Sequence, residues 1–112
     1  MAIGERRRHP RLAIRLPVAH RPAGALEHAF CHDFTTNISP AGVQLIVGGQ
    51  APAIGAKIEL ELTVPPGEGH FPYSGKIRGV AAILRREKIR SGPTPRWTLA
   101  GRFDQPLDLD FK

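Results

Sequence analysis

The chain has 112 residues, with 16 lysines and arginines against 10 aspartates and glutamates, which gives a net charge of +6. This length suits one domain with one modest core. A hydrophobic share of 41% excludes a chain that is disordered by composition. Arginine supplies 12 of the 16 cations, and because guanidinium groups bind phosphates and stack on flat rings, the bias favours anionic or nucleotide partners.

The first ten residues are polar and rich in arginine, which predicts a flexible arm ahead of the first strand. They contain no apolar stretch typical of a signal peptide. No run in the sequence approaches the roughly 18 apolar residues that a membrane span needs. Cys31 is the single cysteine, so no internal disulfide can form. We therefore expect a cytoplasmic protein without a membrane span.

Six segments are predicted to be β-strands because apolar and polar residues alternate in them and glycine or proline separates them. The clearest is Lys57–Val64, in which every second residue is aliphatic. Helix is nearly absent from the pattern, and residues 82–89 are interpreted as the end of a long hairpin strand. An all-β barrel or sandwich follows. The six segments are 12–18, 30–38, 41–47, 57–64, 73–84 and 97–103.

The aromatic residues Phe30, Phe34, Trp97 and Phe103 are spaced at strand intervals and are predicted to lie in the core. Cys31 is predicted to be a small buried or half-buried side chain. It also lies in a sequence cluster with His28, His32 and Asp33 that could suggest a metal site. Alternation along a strand places His32 on the face opposite Cys31 and Asp33. No metal site is therefore predicted.

The first sequence motif is an arginine cluster, Arg6-Arg7-Arg8-His9-Pro10-Arg11, which contains the spacing RRxxxR at Arg6, Arg7 and Arg11. Pro10 favours an extended conformation at His9 and so keeps the arm from becoming helical. In a chain so rich in arginine the RxxxR spacing arises easily by chance. The alternative interpretation is a solvated tail that only improves solubility.

The second motif is Asn37-Ile38-Ser39-Pro40-Ala41-Gly42, which reads [D/N]xSxxG with Asn37, Ser39 and Gly42 at its fixed positions. These three residue types at fixed offsets are much rarer by chance than the arginine spacing. Asn37 can offer its amide to a guanine edge, and Ser39 can donate its hydroxyl to a phosphate or a base. Gly42 lets a backbone and a ligand approach closely. The alternative is a tight turn, which the same residues favour.

The two motifs, in this order and ahead of a string of strands, resemble the PilZ family, and the resemblance runs from Glu5 to Phe103. It implies a six-stranded antiparallel β-barrel of the split-barrel type with little helix. Residues 1–112 would form a single domain, with a flexible ligand-binding arm at 1–11, the barrel at 12–103 and a C-terminal tail at 104–112. Family domains often end in a helix, whereas this tail alternates like a strand and is expected to plug the barrel, add a strand or expose an apolar edge.

The resemblance further implies a bacterial receptor that binds the second messenger cyclic di-GMP without catalysis, cofactor or metal. The ligand would be held by Arg6, Arg7, Arg11, Asn37, Ser39 and Gly42. Ordering of the arm would then signal to a downstream protein partner that the sequence does not identify. Because Arg6 directly precedes the RxxxR pair, the family pattern implies two intercalated ligand molecules rather than one.

Two other functions remain open from the sequence. A basic β-barrel can bind single-stranded nucleic acid, but such a barrel should place exposed aromatics and cations together on its strands. Only 6% of the residues are aromatic and the arginines gather at the N-terminus, which disfavours nucleic acid. A PilZ-like docking module without ligand is the other alternative, and the intact motifs argue against it. No enzyme signature of a nucleophile, metal or phosphate-binding loop is found.

Overall fold

The structure is a computed structural model that describes residues 12–49, 51–67, 74–90 and 92–107. The described chain forms six strands. The predicted arm, with Arg6, Arg7 and Arg11, and the last five residues of the predicted tail lie outside the described residues. The strands are β1 (Pro17–Pro22), β2 (Cys31–Ile38), β3 (Gly42–Gly48), β4 (Lys57–Val64), β5 (Gly75–Ile89) and β6 (Arg96–Phe103).

The strands close into an antiparallel barrel with the order β1-β2-β3-β6-β5-β4. Closure comes from β1, which pairs with β2 on one side and with β4 on the other. Within the described ranges every assigned element is a strand. No helix in this part of the chain has the length and apolar character that crossing a membrane requires. The six-stranded antiparallel barrel expected from the sequence is confirmed.

The interior is filled by the inward side chains of the alternating strands. On β4 the predicted alternation holds along its whole length, since its four aliphatic residues are all buried. Leu107 of the tail packs against this core, and its N–H donates to Pro40 O at 2.8 Å. The buried apolar residues are Ile14, Leu16, Val18, Ile38, Val43, Leu45, Val47, Ile58, Leu60, Leu62, Val64, Ala81, Ile83, Leu99 and Phe103.

The first strand differs from its predicted position, because β1 begins at Pro17 rather than at residue 12. Residues 12–16 instead run beside β2, and Leu12 forms an isolated antiparallel bridge with Ile38. Between these points the buried Thr35 hydroxyl donates to Ile14 O at 2.6 Å and accepts from Leu16 N at 2.9 Å. A side chain thus replaces part of the backbone ladder here, which an alternation pattern cannot predict.

Two aromatic residues predicted to be in the core are exposed. Phe30 and Phe34 retain 37% and 43% of their accessible surface, whereas Phe103 is buried and Trp97 packs against the core. Both exposed rings lie under guanidinium groups: Arg21 is 4.2 Å from the centroid of Phe30 and Arg15 is 4.0 Å from that of Phe34. Phe30 and Phe34 are spaced like residues on one face of a strand, but that face points outwards.

Cys31 also departs from expectation, because it is exposed rather than buried. It begins β2, where the ladder with β1 ends at His20. His20 of β1 and Asp33 of β2 are the inward polar residues at this end of the barrel. They pair with each other, since His20 Nε2 lies 2.7 Å from Asp33 Oδ2. Among the described residues no group of three or more potential ligands is arranged to hold a metal ion.

Candidate ligand-binding groove

The predicted motif on β2 and β3 lines a groove of about 210 Å³ on the outer wall of the barrel. Four neighbouring strands, β2, β3, β6 and β5, contribute to it. We call this feature the groove. Its lining residues are Asn37, Ser39, Ala41, Gly42, Val43, Gln44, Leu84, Arg85, Ala100, Gly101 and Arg102.

The groove exists because two β-bulges lie at the same level of the barrel. In β2 the register shifts between Thr35 and Asn37, and in β5 it shifts between Ile83 and Arg85. Each bulge inserts one residue and so reverses which face the following side chains occupy. Thr35 and Ile83 are buried in the core, whereas Asn37 and Arg85 line the groove.

Cross-strand pairing then joins these side chains into one row. Asn37 pairs with Gln44, Gln44 pairs with Ala100, and Ala100 pairs with Arg85. Ala100 forms a low floor between the amides on one side and the arginine on the other. Adjacent strands are about 4.8 Å apart, so Gln44 and Arg85 stand roughly 10 Å apart across this floor. That width admits a flat ring or a phosphate group.

The turn between β2 and β3 closes one end of the groove. Ser39 N–H donates to Gly42 O at 2.9 Å, and Gly42 N–H donates both to Ser39 O at 3.3 Å and to Ser39 Oγ at 3.2 Å. Pro40 occupies the first corner of the turn, where its fixed φ is favoured. The tight turn and the groove wall are therefore formed by the same residues, and Ser39 is only 7% exposed.

The groove is electrostatically suited to an anion. Arg85 and Arg102 both line it, and none of the described residues in its lining is acidic. Arg102 pairs with Gly42 and Ala82, so its neighbours across the strands are small. Arg85 has Glu87 at 3.9 Å, with both side chains mostly exposed, and such a contact contributes little. Positive charge is thus available above an open floor.

The opposite wall of the barrel has different electrostatics. A wider depression of about 500 Å³ lies there against Glu59 and Glu61. Arg21 forms an ion pair with Glu59, and Arg78 and Lys76 form ion pairs with Glu61. The hydrogen bond from Arg78, with further help from Lys76, lowers the pKa of Glu61 below its usual value of 4.5. Arg21 and Arg78 of this lining are thus already paired with carboxylates, so the wall is less suited to a phosphate.

The groove also lies beside the point where the N-terminal arm joins the barrel. Leu12 N–H donates to Ile38 O at 2.7 Å, and Ile38 N–H donates to Leu12 O at 2.9 Å. Ile38 stands between Asn37 and Ser39 in the sequence. The chain therefore enters the described structure next to two of the predicted ligand-binding residues, with Arg11 as the residue directly before Leu12.

Sequence reasoning found three of the groove residues and missed four that shape it. Asn37, Ser39 and Gly42 are brought together as the motif predicted. Gln44, Leu84, Arg85 and Arg102 were not proposed as ligand residues. Arg85 and Leu84 depend on a bulge, and Leu84 is 58% exposed because of it. For Gln44 and Arg102, their polar character at outward strand positions was the only available signal.

The described chain is therefore a small closed antiparallel barrel with a cationic groove on its wall. The family model described as PilZ domain matches residues 5–91, so the chain belongs to the PilZ family. The family predicted from the sequence is confirmed. None of the curated proteins compared with the chain matches it.

Solved structures share the fold at low sequence identity. The Bacillus subtilis inhibitor of motility MotI/DgrA is 19% identical with a TM-score of 0.67, over 91% of this chain and 44% of its own. The PilZ domain with c-di-GMP of YcgR from Escherichia coli is 19% identical with a TM-score of 0.58, over 89% and 79%. Borreliella burgdorferi PlzA in complex with c-di-GMP is 13% identical with a TM-score of 0.63, over 88% and 45%. The chain thus spans less than half of two of these relatives.

Proposed function

We propose that the chain is a bacterial cytoplasmic receptor for cyclic di-GMP that binds the ligand between the groove and the N-terminal arm. The observation that carries the proposal is the groove itself, in which Asn37, Ser39 and Gly42 stand beside Arg85 and Arg102 without an acidic residue in the described lining. Two of the similar solved structures are described as containing c-di-GMP, which supports the same ligand here.

The groove alone is too small to enclose this ligand. Its volume of about 210 Å³ falls below the roughly 300–1,000 Å³ of enclosed ligand pockets. A dinucleotide placed on the Ala100 floor would leave much of its surface open. Arg6, Arg7 and Arg11 would cover that surface from the arm, which ends one residue before Leu12. We therefore propose residues 1–11 as the closing half of the site, residues 12–103 as the barrel and residues 104–112 as the tail of one domain.

Closure of the arm is the signalling step of this proposal. Each charge-assisted hydrogen bond contributes about 1.5–3 kcal/mol. Ordering the backbone costs about 1–2 kcal/mol per residue, so several arginines must bind together before the arm closes. The closed arm then presents a different surface to a downstream protein partner. Arg6, which precedes the RxxxR pair, supports binding of two intercalated ligand molecules.

A specific observation favours single-stranded nucleic acid as a second candidate ligand. Phe34 on β2 and Phe30 just before it are exposed, and Arg15 and Arg21 lie over their rings. Exposed aromatics beside cations are the surface that binds unpaired bases. However, Arg21 is also paired with Glu59, and each guanidinium covers one face of its ring. The groove therefore remains the better-supported site.

Isothermal titration with cyclic di-GMP, GTP and a short single-stranded RNA tests the proposal. We expect saturable binding of cyclic di-GMP alone, with two ligand molecules per protomer. A stoichiometry of one would contradict the intercalated pair but not the receptor. A folded protein that binds none of the three would be a docking module, and one that binds only RNA would make the surface of Phe30 and Phe34 the functional one.

A further inference from the structure

Asn37 and Gln44 form an amide pair at the edge of the groove. Asn37 Nδ2 donates to Gln44 Oε1 at 2.6 Å. The bulge in β2 creates this pair, because it places Asn37 opposite Gln44, where an unshifted register would have placed it opposite Val43. Thr36 Oγ1 donates to Gln44 O at 3.3 Å and so ties the bulged residue to the same partner.

The hydrogen bond engages the nitrogen end of the Asn37 amide. A carboxamide has an acceptor oxygen on one side and a donor NH2 on the other, and the two ends exchange when the group rotates by half a turn. One N–H of Nδ2 is given to Gln44 Oε1, and this orientation leaves Oδ1 as the oxygen that can accept a hydrogen bond from a ligand. Gln44 thereby holds Asn37 as an acceptor.

An acceptor at this position distinguishes guanine from adenine. The Watson–Crick edge of guanine carries two neighbouring donors, N1–H and the exocyclic N2–H2, whereas adenine has an acceptor at N1 and no group at C2 that donates. A rotated amide, with its NH2 towards the ligand, would face these two donors with a donor and lose the preference. When the wrong base binds, the polar groups that face each other are buried without a partner. This loss of binding free energy discriminates strongly against that base.

We propose that Gln44 is a positioning residue that sets the base selectivity of the receptor by fixing the Asn37 amide. This inference rests on the proposed function, since it concerns the same groove and the same ligand. Gln44 does not itself need to contact the base. Its effect depends on the asparagine at position 37, because an aspartate there has two acceptor oxygens and needs no partner to orient it.

The experiment measures the dissociation constants of cyclic di-GMP and cyclic di-AMP for Gln44→Leu and Gln44→Glu. Gln44→Leu removes the acceptor that holds Asn37, and we expect affinity for cyclic di-GMP to fall about tenfold, together with the preference over cyclic di-AMP. Gln44→Glu keeps an acceptor oxygen. It should weaken both ligands through its negative charge but retain their ratio.

The decisive comparison repeats Gln44→Leu in an Asn37→Asp background. There we expect less than a threefold effect on cyclic di-GMP and an unchanged preference. Gln105→Leu is the matched control, because Gln105 is an exposed glutamine outside the lining of the groove. It should match the wild type, and thermal denaturation checks that every variant is folded.

Two results would overturn the inference while leaving the receptor intact. One is wild-type affinity and selectivity in Gln44→Leu. The other is an equal loss in both backgrounds, since a general packing defect at position 44 does not depend on the residue at 37. A wild-type protein that binds neither dinucleotide would instead overturn the proposed function itself, so the two failures are distinguishable.

Discussion

Gly42 lies directly against the backbone of Gly101, so that a Cβ at position 42 would come within 2.6 Å of the Gly101 carbonyl oxygen. The motif glycine is thus needed where β3 and β6 pair, independently of any ligand. We expect Gly42→Ala to destabilise the barrel by about 1–3 kcal/mol, because backbone strands must move apart to accept the methyl group. Urea denaturation measures the change.

Gly48→Ala provides the control for this substitution. Gly48 also lies on β3, and a Cβ there would meet nothing within 4 Å. Its replacement should leave stability unchanged or raise it by up to about 1 kcal/mol, since alanine is less costly than glycine in a strand. Equal effects at positions 42 and 48 would show that the contact with Gly101 is unimportant.

The Thr35 hydroxyl joins the entering chain to β2, and its removal should loosen that junction. In Thr35→Val the size of the side chain is kept, but Ile14 O and Leu16 N lose their partner in a site that is 1% exposed. We expect a loss of about 2–4 kcal/mol in the free energy of unfolding, from two buried backbone groups left unpaired.

Thr63→Val is the matched substitution for Thr35→Val, because Thr63 is a half-buried threonine on β4. A change within about 0.5 kcal/mol is expected there. Thermal denaturation of both variants measures the two changes in stability. If the two lose the same stability, the hydroxyl at position 35 does not secure the segment that leads to the arm.

Arg85 and Arg102 should contribute to ligand affinity although neither belongs to a sequence motif. Arg85→Gln and Arg102→Gln each remove a guanidinium from the groove lining. We expect each to weaken cyclic di-GMP binding roughly ten- to hundredfold, since hydrogen bonds to charged groups contribute about 1.5–3 kcal/mol. Titration calorimetry at fixed ionic strength measures this.

Arg96→Gln separates direct contact from the effect of net charge. Arg96 is exposed on β6, the strand that also carries Arg102, but it does not line the groove. Its replacement should change affinity less than twofold. A loss as large as that of Arg102→Gln would mean that overall charge, and not the groove, attracts the ligand.

The arm arginines can be tested against one another. Arg7→Ala and Arg11→Ala should each reduce affinity by roughly 2–3 kcal/mol, about 30- to 150-fold, and leave the barrel folded. Arg6→Ala should reduce the number of bound ligands from two to one. Arg8→Ala, between the motif positions, is the control and should resemble the wild type. Wild-type binding by Arg7→Ala would remove that residue from the site.

Alternation predicted the barrel well where it is unbroken. All four aliphatic residues of β4 are buried as expected, and the boundaries of β4 agree with the predicted segment. The same rule places residues on the wrong face once a bulge intervenes. A bulge adds one residue to one strand, and no local composition in 83–85 or 35–37 marks where the addition occurs.

The candidate site was predictable only as far as its motifs reached. Asn37, Ser39 and Gly42 were found because their spacing resembles a family, whereas Arg85 reaches the groove through the bulge at Leu84. The exposed face of Phe34 was also unpredictable, because aromatic spacing along a strand gives the period but not which face is buried. Burial is decided by neighbours distant in sequence.

The bridge between Leu12 and Ile38 also limits how far the arginines of the arm can lie from the groove, and so sets their local concentration there. Arg7 is five residues from Leu12, so at most about 18 Å of chain separates it from the anchoring point. If the proposed site is correct, a cation on so short a tether would meet the ligand as an intramolecular partner, at an effective concentration in the millimolar range. Closing would therefore be independent of protein concentration, and a free peptide with the arm's sequence would compete poorly.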